Sequence, residues 1–248
     1  MPASPSPAVR IAMWSGPRNI STAMMRAFEN RPDCAVWDEP FYAAYLKATG
    51  LGHPMRDEIL AADDTDPDAV AARVVGPVPD GRPVFYQKHM THHMLPAFDR
   101  GFLAAVTNAF LIRRPESVLA SYVQKRETVT LDDIGFRQQA EIFDAVADRL
   151  GVAPPVVEGN DVLTDPRGAL TRLCEAVGIG FRDEMLAWPA GRRASDGVWA
   201  PHWYHAVEAS TGFGPARPDV ERSALPADLA RIAEAATPFY ERLAAHRL

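Results

Sequence analysis

The residues best suited to chemistry lie near the start of the chain, in Ser15-Gly16-Pro17-Arg18-Asn19-Ile20-Ser21-Thr22. A mostly apolar run, Val9–Trp14, leads into them, and Ile20, Ala23, Met24, Ala27 and Phe28 follow at helical spacing. A glycine-containing loop feeding a helix N-terminus offers an anion unpaired N–H groups and the positive end of the helix dipole. Arg18 adds a guanidinium, and Ser21 and Thr22 place hydroxyls on the first helical turn. These residue types suit a phosphate or sulfate; the plainer alternative is a capped turn with a solvated arginine. The pattern G-x-x-x-x-G-K-[ST] is not met, because Ser21 stands at its second glycine and Thr22 at its lysine. That counts against ATP or GTP as the substrate. Further on, Arg113 closes a second apolar run and Ser121 follows in the next helical stretch, a pairing able to grip another phosphate.

These groups need a scaffold that brings strand ends together. Val9–Trp14, Ala35–Trp37, Val84–Lys88, Ala109–Ile112 and Pro155–Val157 read as short buried strands. Helical patterns separate them: one to Asn30, one near Asp68–Val75, one from Pro115 through Ser117–Lys125, and one marked by Ile134, Ile142, Phe143, Val146 and Leu150. Another holds Leu170, Leu173, Cys174 and Val177 and stops at Gly178. The last runs from Leu229 to Leu243, with a kink expected at Pro238. Alternation of this kind predicts an α/β fold: a central, mainly parallel sheet of about five strands flanked by helices in three layers. Residues 50–83 read as an irregular excursion with one short helix, and 188–218 show no clear period. The expected organisation is a flexible tail over residues 1–8 and a single domain over 9–248.

The chain has 248 residues, 47% apolar and 23% charged, with 26 basic against 32 acidic side chains and a net charge of −6. This composition excludes disorder, collagen and coiled coil and argues against nucleic acid as the bulk partner. Cys34 and Cys174 form neither a disulfide framework nor a zinc spacing. Phe102–Ile112 is too short for a membrane span, and no signal peptide is apparent, so a soluble cytoplasmic protein is expected. His89, His92 and His93, with His202 and His205, lack the H-E-x-x-H or H-x-x-E-H arrangement, so no metal is expected.

Together the loop and the Arg113–Ser121 segment resemble sulfotransferases that use 3′-phosphoadenylyl sulfate (PAPS), whose fold is of the P-loop NTPase-like type. The family's P-[KR]-x-G-[TS]-T has its counterpart in Pro17-Arg18-Asn19-Ile20-Ser21-Thr22, and its R-x-P-x-x-x-x-x-S-x-Y in Arg113, Pro115 and Ser121, with Tyr122 directly after. Glu39-Pro40 follows the second strand, where many members carry an acidic residue and proline. Asp161, Leu163, Asp165 and Pro166 are similar to E-D-L-x-x-[DN]-P, and Gly191-Arg192-Arg193 with Asp196-Gly197-Val198-Trp199 to the late loop that covers the nucleotide. The resemblance spans about residues 10–214. Three departures stand out. Ile20 replaces the usual loop glycine, so another backbone shape is expected there. Ala23 sits where cytosolic members carry an adenine-stacking tryptophan, and Arg18 replaces their lysine.

The resemblance implies a sulfuryl transfer from PAPS to a hydroxyl or amine of a small-molecule acceptor, without a metal and without a nucleic-acid or membrane partner. Gly16, Pro17, Arg18, Asn19, Ser21, Thr22, Arg113, Ser121, Arg192 and Arg193 would bind the nucleotide. Arg18 would also stabilise the charge on the leaving phosphate, a role worth about 2.7–4 kcal/mol per key donor. The acceptor's proton needs a base at a strand end. Glu39 is one candidate; His89, or His92 after a local shift, is the other. Lys88 matches the lysine of the K-T-H-L-P that cytosolic members carry, so the resemblance implies a catalytic role for it at the reacting atoms. Stretches 41–83 and 194–215 would build the acceptor pocket. Two other readings stay open: a P-loop nucleotide kinase or hydrolase, and a non-catalytic nucleotide-binding module of the same fold.

Overall fold

A computed structural model describes residues 8–123 and 128–248. Five strands form one parallel sheet in the order β2-β3-β1-β4-β5: β1 Val9–Ser15, β2 Cys34–Asp38, β3 Val84–Met90, β4 Thr107–Ile112 and β5 Val156–Glu158. The helices are α1 Ser21–Glu29, α2 Tyr42–Thr49, α3 Arg56–Ala62, α4 Pro67–Val75, α5 Pro115–Tyr122 and α6 Leu131–Ile134. After them come α7 Phe136–Leu150, α8 Gly159–Thr164, α9 Pro166–Ala176, α10 Ala200–Trp203, α11 His205–Glu208 and α12 Ala227–Ala244.

The two-residue period of a strand sorts β1 between two cores. Ile11 and Met13 pack with Met24 and Phe28 of α1 and Leu170 and Leu173 of α9. Ala12 and Trp14 face the other way, toward Val70 of α4, Phe143 and Val146 of α7 and Leu243 of α12. Helices therefore cover both faces, which is why the strands read as nearly unbroken apolar runs. From β1 the chain moves to β2, returns through β3, and crosses to β4 and β5 on β1's other side. The carboxyl end of β1 is thus where the winding reverses, the place such sheets leave a crevice.

Several boundaries differ from the sequence reading. β3 runs on to Met90, so His89 is a strand residue rather than part of the loop after it. The excursion over 50–83 contains α3 besides α4, and α2 precedes it. Neither α2 nor α3 shows a stripe, since α2 buries five consecutive residues, Tyr42–Leu46, and α3 buries only Ile59. The pattern from Ile134 to Leu150 is two helices, split by Gly135 at φ 71°. A Cβ there would stand 2.6 Å from Thr91 Oγ1. α12 passes through Pro238 as one helix. The expected extension of α5 to Lys125 and the tail over 1–7 lie outside the described residues.

Candidate active site

Four strand ends and a late segment enclose a cavity of about 470 Å³. Pro17–Ala23 line it from the first loop, Glu39 from the end of β2, Lys88 and Met90 from β3, Arg113 from the end of β4, and Ser121 from α5. Trp203, Tyr204 and residues up to Arg217 close it over.

The first loop is held by three devices. Arg18 and Ile20 take left-handed backbone, at φ 62° and 56°. Each costs roughly 1–2 kcal/mol for a residue with a Cβ. Ile20 therefore adopts the conformation that a glycine accepts without strain, which corrects the expectation of a different turn. Gly16 supplies clearance: a Cβ would lie 2.5 Å from the Ile134 carbonyl oxygen. Asn19 is buried and its Nδ2 donates to the Leu111 carbonyl at 3.3 Å. Gln139 Nε2 donates to the carbonyls of both Trp14 and Leu111, at 3.1 and 2.9 Å, tying α7 to the ends of β1 and β4. No side chain caps α1, so the N–H groups of its first turn stay available to a ligand.

The two motif segments meet. Arg18 Nε donates to Ser121 Oγ at 2.9 Å, and Arg113 Nη1 donates to the Arg18 carbonyl at 2.9 Å. A third guanidinium, the exposed Arg217, joins them in the cavity lining. Burial and then Arg217 lower the pKa of Arg18; burial, Arg217 and Arg18 lower that of Arg113 against the opposing pull of Glu158 and Asp219. No ion pair joins Arg18, Arg113 or Arg217 to a carboxylate among the described residues. Three cations facing one space, with no carboxylate partner among the described residues, are chemically suited to an anion.

Arg192 and Arg193 lie outside this lining. Arg193 donates through its backbone N–H to Asp196 Oδ2 at 2.8 Å and through Nη2 to the Pro189 carbonyl at 3.2 Å, while Arg192 is exposed. Asp196 is itself held by the buried Arg26 at 2.6 Å, so this loop is clamped onto the side of α1. Arg217 was not singled out from the sequence. Its only signal is a lone basic residue in the Gly- and Pro-rich stretch Gly212–Pro218.

The opposite end is built around Glu39, which occupies left-handed backbone at φ 43°. Sheet register sets Lys88 beside Asp38. Lys88 Nζ donates to Asp38 Oδ1 at 2.9 Å, Glu39 Oε1 at 2.6 Å and the Tyr204 hydroxyl at 2.7 Å. Burial raises the pKa of Glu39, and Asp38 adds to this while Lys88 opposes it. For Lys88, burial alone would depress the ammonium, but Asp38 and Glu39 together hold it well above the usual lysine value.

The histidines separate by strand parity. His89 points away from Lys88 into the core, where it stacks on Trp14 at 4.4 Å and pairs with Gln87 Oε1 at 3.2 Å. Burial pushes it down to about 3, and it does not line the cavity. His92 does. So does His93, which is buried between the rings of Tyr42 at 4.5 Å and Tyr45 at 4.8 Å, with Nδ1 3.9 Å from Glu39 Oε2. Burial, reinforced by neighbouring His92 and His53, holds His93 well below the usual value and therefore neutral. Tyr42, His53 and Trp203 complete the wall at this end. Among the described residues no group of three or more side chains is placed to hold a metal ion, and no helix is long and apolar enough to cross a membrane.

The profile of a family described as "Sulfotransferase domain" matches residues 9–247. Two Arabidopsis thaliana proteins, Branched-chain-amino-acid aminotransferase-like proteins 2 and 1, are each 33% identical, over 82% and 95% of this chain. The chain spans only 36% and 42% of their respective lengths. Among solved structures, mouse sulfotransferase SULT7A1 complexed with PAP has a similar fold, with a TM-score of 0.55 at 13% identity. The likeness covers 94% of this chain and 85% of that one.

Proposed function

The chain belongs to the sulfotransferase domain family, and we propose that it moves a sulfuryl group from PAPS to a hydroxyl or amine of a small-molecule acceptor. The observation that carries this reading is the single cavity holding Arg18, Arg113 and Arg217 at one end and Glu39 at the other. The donor set fits the nucleotide: guanidiniums with no carboxylate partner among the described residues, two hydroxyls and the N–H groups of a helix start suit a ligand with two separate anionic groups. The mouse relative's complex with PAP supports the same choice.

When bound, PAPS supplies an electrophilic sulfur attached to a phosphate leaving group. Arg18, with the N–H groups at the start of α1, faces the charge that develops on that phosphate and stabilises it. Arg113 and Ser121 hold the second phosphate, and Arg217 closes over the same end. Glu39 takes the acceptor's proton, because it is the carboxylate at a strand end that lines the cavity and its raised pKa makes it a stronger base. His92 stands in the same cavity as the other base candidate. His89, stacked on Trp14 and outside the cavity lining, is not taken as the base. Residues 41–53 and 203–210 shape the acceptor's side.

Thermal unfolding with adenosine 3′,5′-bisphosphate (PAP), compared with ATP and magnesium, tests the donor. PAP at a hundredfold excess over its Kd should stabilise the protein by about 2.7 kcal/mol. Stabilisation by magnesium ATP alone would overturn the reading.

A further inference from the structure

Lys88 reaches the cavity, yet its ammonium has no proton left to offer a ligand. A lysine carries three donors, and here they go to Asp38 Oδ1, Glu39 Oε1 and the Tyr204 hydroxyl, all within 2.9 Å. Tyr204 is equally committed. Its hydroxyl accepts from Lys88 and from Trp199 Nε1 at 3.2 Å, and gives its proton to Asp38 Oδ2 at 2.7 Å. Asp38 Oδ2 also accepts from the Gly197 N–H at 3.4 Å. One oxygen of Glu39 is thereby held inside the network. The other, Oε2, has His93 Nδ1 at 3.9 Å, beyond hydrogen-bond reach, and belongs to a side chain that lines the cavity.

We infer that Lys88 and Tyr204 are positioning residues for Glu39: with Asp38 they fix its Oε1, so that Oε2 is the oxygen that meets the acceptor's proton. This rests on the reading of Glu39 as the base. It differs from the sequence expectation for Lys88, which placed it among groups that touch the reacting atoms. It also gives Tyr204 a role beyond the sequence expectation, which placed it only in the stretch 194–215 that would build the acceptor pocket.

The groups facing Glu39 are Asp38 from β2, Lys88 from β3, His93 from the turn after β3 and Tyr204 from the covering segment. Two variants should therefore move the rate–pH profile in opposite directions. Tyr204→Phe removes the hydroxyl that lies 3.4 Å from Glu39 Oε1 and lowers the Glu39 pKa. Its acidic limb should shift to higher pH, and turnover should fall roughly 10- to 100-fold as Oε2 loses its alignment. Asp38→Asn removes the negative neighbour that raises the Glu39 pKa, so its acidic limb should shift to lower pH. PAP affinity, read by calorimetry, should stay at the wild-type value in both. Limbs that coincide with wild type, or that move the same way, would sink the inference; if Tyr204→Phe does not fold, the direction shown by Asp38→Asn decides alone. Wild-type turnover in Glu39→Gln would instead overturn the assignment of the base.

Discussion

The two ends of the cavity handle charge in opposite ways. At the arginine end, three guanidiniums share one space without a carboxylate partner among the described residues, and burial and mutual repulsion depress Arg18 and Arg113. At the Glu39 end, every donor of Lys88 is matched inside the protein. An unmet cluster of charge is costly for the protein alone and is relieved when an anion arrives, so it favours binding. A saturated network gains nothing from a ligand but fixes one carboxylate oxygen, which favours proton transfer. On the proposed reading, binding and proton transfer are assigned to separate sets of residues.

The sharpest test of that separation is Glu39→Gln. It should lower turnover on the order of 100- to 10,000-fold while calorimetry shows unchanged affinity for PAP. Arg18→Ala should lower turnover roughly 100- to 1,000-fold and, unlike Glu39→Gln, also weaken PAP binding; if the folded variant turned over like wild type, the arginine end would have no part in the chemistry.

Glu158, at the end of β5, is the carboxylate whose charge pulls against the depression of Arg113. Burial lifts it to about 7, despite the hydrogen bond it accepts from the Tyr240 hydroxyl at 2.9 Å. A carboxyl whose pKa is raised on folding stabilises the protein most below its unfolded value, and that stabilisation is lost as pH rises through its folded value. Denaturant titrations from pH 4.5 to 7 should therefore show the wild type losing on the order of 3 kcal/mol relative to Glu158→Gln.

Arg217 and Arg192 give the smallest effects and the most direct contrast. Arg217→Ala should weaken PAP binding only about 3- to 10-fold, because an exposed cation is screened, and added salt should shrink the difference. Arg192→Ala should leave PAP affinity unchanged. The reverse ranking would return the nucleotide-covering role to the 191–193 loop.

Much of the arginine end was legible in the sequence. Its parts are local: a strand, a turn and a helix start follow one another, and Arg113 is placed by the same short-range logic eight residues before Ser121. The Glu39 end was only partly legible. Glu39 itself was read from the end of its strand, but its partners come from β3 and from the junction between α10 and α11. His89 shows the difficulty. Ending β3 two residues early left it in a loop, free to face a ligand, whereas strand parity sends it into the core beside Trp14. Arg192 and Arg193 matched a motif by order along the chain, yet Asp196, held by the buried Arg26, draws their loop onto α1. Gln139 gave one signal, a polar side chain on the apolar face of α7.

Sequence alone determined the alternation of strands and helices, the parallel sheet, and the strand–loop–helix segment that carries Arg18, because each depends on contacts between near neighbours or on burial periodicity. The tertiary structure decided which cations share a space, which histidine is core and which faces the cavity, and which oxygen of Glu39 is held by Lys88. Those outcomes depend on sheet register and on distant loops folding back over strand ends. Such contacts leave no period in the chain.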